Sequence, residues 1–212
     1  MASSTTVIFI PIIALLEAAR YKTDLVHLPS VELSTPHSGF SQDKVIVVVH
    51  SYGGLPGNEA IQGLDWGTRQ RNAQPGGVTH LVFCCSFIVP EGKSLISSIG
   101  GNDLPWLKVS SDRLIVTPAD PEQIFYNDTE EEEQRNFHSI VTYAGWKDVP
   151  SSTYLYCLKD QAMPIAVQKM MVEEVAKEFP IWTETLNASH SPFYSVPDDV
   201  AFAIKRAAGE DV

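Results

Sequence analysis

The chain has 212 residues, 44% apolar and 19% charged, enough to bury one substantial core in a single domain. Its 26 acidic against 15 basic residues leave a formal net charge of −11. A surface that acidic repels phosphate backbones and anionic lipid heads, so neither nucleic acid nor a membrane is an expected partner. Three cysteines, Cys84, Cys85 and Cys157, sit inside apolar runs that read as buried strands. Adjacent residues on a strand point to opposite faces, so Cys84 and Cys85 are poorly placed to pair, and reduced core thiols are expected. No Cys/His cluster has zinc spacing.

In chain order the pattern alternates strand and helix. Thr5–Ile10 reads as a strand, Pro11–Tyr21 as a helix and Thr23–Leu28 as a short strand. The apolar stretch Val7–Leu16 has no basic residue before it, contains Pro11, lacks a small-residue cleavage pattern and is too short to span a bilayer. A cytoplasmic protein is the expectation. Lys44–His50 (KVIVVVH) is nearly all β-branched, as suits a strand buried on both faces of a parallel sheet. A helix is expected over Asn58–Arg69, a strand over Val78–Phe87 and another over Ser152–Leu158. Ala166–Phe179 has amphipathic helical spacing, Trp182–Leu186 reads as the last strand and Pro197–Ala208 as a closing helix. Such alternation implies a mostly parallel sheet covered by helices on both faces. Residues 90–150 break the rhythm with Gly100-Gly101, scattered prolines and the solvated run Glu130–Glu133. They read as a cap inserted into a single domain spanning 1–212.

The string Val49-His50-Ser51-Tyr52-Gly53-Gly54 carries the chemistry. A buried strand breaks at a serine followed by small residues, which is how a nucleophile elbow lifts a hydroxyl clear of a sheet. Alone, the string also fits an ordinary βα turn, and Val49 stands where G-x-S-x-G has its first glycine. The backbone N–H of Tyr52 would face a developing oxyanion. His50 shapes the elbow, together with Gly53 and Gly54, rather than serving as a base. A serine nucleophile needs a base and a carboxylate to orient it, in the chain order Ser, Asp, His for this kind of elbow. Asp160 follows the strand ending at Leu158, and His190 follows the strand ending at Leu186. Singly, each reads as a turn or loop residue. Together, in that order and each at a strand's C-terminal end, they are the candidate triad. His27, His37, His80 and His138 lack that placement.

Ser51-Tyr52-Gly53-Gly54, Lys159-Asp160-Gln161-Ala162-Met163-Pro164 and His190-Ser191-Pro192-Phe193 resemble the AB hydrolase-1 family. The likeness is to its small-esterase branch, related to plant methylesterases and hydroxynitrile lyases, and it runs from Lys44 to Ala208. It implies an α/β-hydrolase fold with Ser51 as nucleophile, His190 as base and Asp160 as orienting carboxylate, without metal or cofactor. The expected activity is cleavage of a small carboxylic ester or lactone through an acyl-enzyme. A hydrophobic substrate group would meet Trp106, Phe125, Tyr126 and Trp146; plain packing of the cap explains these aromatics equally well. The chain departs from the pattern twice near its start. Ile10 runs straight into Pro11 where the family has an oxyanion loop, and Pro29–Asp43 shows no amphipathic crossover helix. Two other readings therefore stay open: a ligand-binding pseudoenzyme, and a lyase or isomerase using the triad as acid and base.

Overall fold

A computed structural model describes residues 12–23, 44–99, 107–109, 115–118, 134–135 and 141–212. Among these, four strands form one parallel sheet: β1 (Lys44–His50), β2 (Gly77–Cys84), β6 (Ser151–Cys157) and β7 (Ile181–Leu186), in the order β1-β2-β6-β7. Alternation along each strand divides the core into two layers. Leu81, Phe83, Tyr154 and Tyr156 join one buried cluster, while Val82, Cys84, Leu155 and Cys157 join the other. The first layer is covered by Leu55, Trp146 and Met171, and the second by Ile12 and Leu16 of helix α1 (residues 12–18) with Val200 and Ile204. Both faces of the sheet are thus filled around the central strands, whose polar residues Thr79, His80, Ser151, Ser152 and Thr153 lie toward the strand starts.

The helices differ in detail from the sequence reading. The helix expected over Asn58–Arg69 is two, α2 (Gly54–Glu59) and α3 (Trp66–Arg71). Gly63 takes a left-handed φ of 73° between them, and Asp65 caps α3 by accepting a hydrogen bond from Thr68 N at 2.8 Å. The long helix expected over Ala166–Phe179 is α-helical only over Ile165–Met170; Met171–Val175 widens into a π turn, closed by Ala176 N donating to Met171 O. The closing helix spans Pro197–Ala207.

β2 ends at Cys84, three residues short of the expected Phe87, because Cys85 swings to φ 33°. That twist overturns the expectation that Cys84 and Cys85 face opposite ways. Both are buried in the same layer with Cys157, and all three are free thiols.

Within 90–150, the ends pack on the core: Gly92 N donates to Val141 O and Val141 N to Lys93 O, each at 2.8 Å, drawing the span into a neck. A small antiparallel sheet, β3 (Leu107–Val109), β4 (Ile115–Pro118) and β5 (Gln134–Arg135), lies between them in sequence. The strand expected at Thr5–Ile10, all but Thr23 of the one expected at Thr23–Leu28, both N-terminal departures and the Glu130–Glu133 run lie outside the described residues. No described helix is long and apolar enough to cross a membrane.

Candidate functional site

β1 delivers Ser51 to the C-terminal edge of the sheet, and the chain turns at once into a short 3₁₀ turn, Ser51–Gly53, followed by α2. Ser51 holds φ at 51°, a left-handed conformation that a side-chain-bearing residue adopts only where its surroundings enforce it. The enforcement is visible. Ser51 O accepts from Phe87 N at 3.1 Å and from Ser86 Oγ at 2.8 Å, tying the turn to the segment after β2. Gly54 is pressed against the same segment, where a Cβ would stand 2.2 Å from Phe87 O. Gly53 has open space around it. Of the two elbow glycines, only Gly54 is required by packing.

His190 and Asp160 reach this turn from neighbouring strand ends. Leu158 N donates to Leu186 O and Lys159 N to Ala188 O, so the segments after β6 and β7 run together. Asp160 is buried; its Oδ1 accepts from Met163 N at 2.8 Å, and its Oδ2 lies 2.7 Å from His190 Nδ1. The other ring nitrogen, Nε2, lies 2.8 Å from Ser51 Oγ. With the proton on Nδ1 donated to Asp160, Nε2 is left to accept from the Ser51 hydroxyl. The three side chains are 6% exposed or less, so the chain of hydrogen bonds is shielded from bulk water.

The structure ties His50, expected to shape the elbow, to the base loop, and brings in Cys85, which the sequence offered only as a core thiol. His50 Nε2 lies 2.7 Å from the backbone oxygen of His190, and Cys85 Sγ donates to the same oxygen at 3.3 Å. Desolvation, and then the nearby His190, push the His50 pKa down to about 3, so its ring is neutral and donates through Nε2–H. Burial pushes the Cys84 and Cys85 thiols up, keeping them protonated. His50, Cys85 and His190 carry metal-capable atoms within 4.8 Å of one another. Their contacts to the His190 carbonyl, Asp160 and Ser51 read as a hydrogen-bonded clamp. The signal for Cys85 and Ser86 was faint: a Cys-Cys-Ser at the end of the strand beside the elbow.

Tyr52 is half-buried, and burial followed by Glu59 raises its phenol pKa; its backbone N–H begins the turn after Ser51. Trp146 does not join the three side chains. It is buried edge-on to Phe179 at 5.0 Å and, with Pro90, Lys147 and Val175, lines a separate cleft of about 400 Å³. Trp106, Phe125 and Tyr126 lie outside the described residues.

A model of the alpha/beta hydrolase family matches residues 14–203 of the chain. The alpha/beta hydrolase nvfD of Aspergillus novofumigatus is 26% identical, covering 95% of this chain and 91% of that one. That alignment runs over 232 positions against 212 residues here, so the relative carries residues without counterpart in this chain. Among solved structures, a pyrethroid hydrolase superposes with a TM-score of 0.69 at 18% identity, over 95% of this chain and 92% of that one. Polyneuridine aldehyde esterase superposes at 0.66 and 16% identity, over 95% and 93%.

Proposed function

Because this chain belongs to the alpha/beta hydrolase family, we propose that it is a serine hydrolase cleaving a small carboxylic ester or lactone through an acyl-enzyme. The observation that carries the reading is the unbroken hydrogen-bond chain Asp160–His190–Ser51 at 2.7 and 2.8 Å, ending on a serine in a left-handed turn. That chain supplies what the chemistry needs. Ser51 Oγ attacks the acyl carbon while His190 Nε2 takes its proton. Asp160, fixed from its other oxygen by Met163 N, stabilises the imidazolium and holds the ring in its tautomer. His190 returns the proton to the leaving alkoxide, then activates water to release the acid and regenerate Ser51. For a lactone, alcohol and acid leave as one molecule.

The oxyanion falls to Tyr52 N–H. Loss of one donor from such a hole costs about 10²–10³ in turnover, so a chain relying on Tyr52 alone would turn over slowly. Residues 90–150 serve as the cap, with Trp106, Phe125 and Tyr126 as candidate pocket residues; Trp146 is set aside because it packs on Phe179. The esterase and hydrolase names of the two structural neighbours fit an ester substrate.

A panel of p-nitrophenyl esters and lactones tests the reading. The expected result is a burst of one p-nitrophenol per chain followed by slower turnover, absent from Ser51→Ala. Ester turnover that persists in Ser51→Ala would contradict the acyl-enzyme, and proton loss from a ligand with no ester turnover would point to acid–base lyase chemistry instead. Ligand binding with neither would point to a pseudoenzyme.

A further inference from the structure

The His190 carbonyl plays no part in the proton transfers just described, yet it receives two side-chain donors. One is the Nε2–H of His50, at 2.7 Å, and the other is the weaker S–H of Cys85, at 3.3 Å. His50 is the immediate neighbour of Ser51. Residues 50 and 51 therefore both bond to residue 190, one to its backbone and one to its ring, closing a small loop of contacts. The His50 ring sits 4.8 Å from the His190 ring and edge-on to buried Phe193 at 4.9 Å, which fixes its orientation.

We infer that His50 is a positioning residue: it ties the loop carrying the base to the strand carrying the nucleophile and sets the reach from His190 to Ser51. This rests on the hydrolase reading above. The Ser51–His190 bond must lengthen and reform in each turnover, whereas the bond from His50 to the His190 carbonyl persists throughout and keeps the register. A neutral ring suits the role, since a charged one at 4.8 Å would oppose the imidazolium that His190 becomes. Geometry of this kind matters because a displacement of about 1 Å at a reacting centre can cost about 100-fold in rate.

Three variants separate positioning from general packing. His50→Gln places an amide N–H near the position of Nε2, His50→Asn places one near Nδ1, and His50→Leu fills the space without a donor. Two readouts are needed: the rate of labelling by a fluorophosphonate, and the downfield ¹H NMR resonance of the His190 Nδ1–H held by Asp160. His50→Leu and His50→Asn should label about ten- to a hundredfold more slowly and lose or broaden that resonance. His50→Gln should recover most of the rate and keep the resonance. Circular dichroism and thermal melting identify a variant that fails to fold, and the comparison of Gln with Asn, equal in chemistry and different only in reach, then decides. The inference is overturned if folded His50→Leu matches the parent in both readouts, or if Gln does no better than Asn. If the parent chain itself does not label but shows the resonance, the hydrolase reading fails while the resonance alone still decides the role of His50.

Discussion

At Ser51 the backbone is held at φ 51° by two bonds to its carbonyl and by a glycine that allows the next turn to approach. The HSYGG string shows where that turn is. It does not show which glycine the turn depends on, because the contact comes from residues 86–87, more than thirty positions away. Gly54→Ala should cost about 1–3 kcal/mol through overpacking against Phe87. Gly53→Ala, at φ −54° with open space, should stay within about 0.5 kcal/mol. Urea midpoints of the two variants measure the difference.

His50 makes a second residue-scale prediction. Its pKa is near 6.5 in the unfolded chain and about 3 in the fold. Between those values the unfolded state binds the extra proton, so stability present above pH 6.5 is lost as pH falls toward 3. Buried His80, which bonds Thr153 Oγ1 and whose pKa burial also lowers, acts in the same direction. The melting temperature should therefore drop on acidification through this window, and His50→Gln should make the slope shallower. Parallel slopes would contradict the assignment of a neutral His50.

At the scale of elements, the segment carrying Asp160 is secured from the helix that follows it. Gln168 is fully buried on the helix Ile165–Met170; its Oε1 accepts from Cys157 N, and its Nε2 donates to Cys157 O and Met163 O. Met163 N in turn donates to Asp160. Gln168→Ala leaves three buried backbone groups without this partner and should cost about 1–3 kcal/mol. It should also slow fluorophosphonate labelling by loosening Asp160. Unchanged stability and labelling would count against this lock. In the sequence Gln168 is simply a polar residue on an amphipathic helix. The break at Gly63 and the cap at Asp65 were legible as residue types, yet the apolar spacing over Asn58–Arg69 masked them. The π turn at Met171–Val175 leaves the apolar spacing largely intact, so periodicity carries little trace of it.

For the whole molecule, the sheet was the most legible feature, because KVIVVVH and HLVFCC are apolar, largely β-branched or aromatic runs interrupted only by Lys44, His50 and His80. The order of Ser51, Asp160 and His190 along the chain was legible for the same reason, each following a strand that could be seen. Their convergence depends on the register β1-β2-β6-β7, which lies in no single segment. The proposed chemistry uses side chains and backbone alone. Dialysis against EDTA should therefore leave ester turnover unchanged, and a loss restored by a divalent metal would contradict the mechanism.

The intact mass of the protein after incubation with a fluorophosphonate, with Ser51→Ala and His190→Ala in parallel, tests Ser51 as an activated nucleophile directly. One adduct per chain is expected, mapped to Ser51, absent from Ser51→Ala and strongly slowed in His190→Ala. A folded parent chain that takes no adduct, or takes it at another residue, would contradict that role.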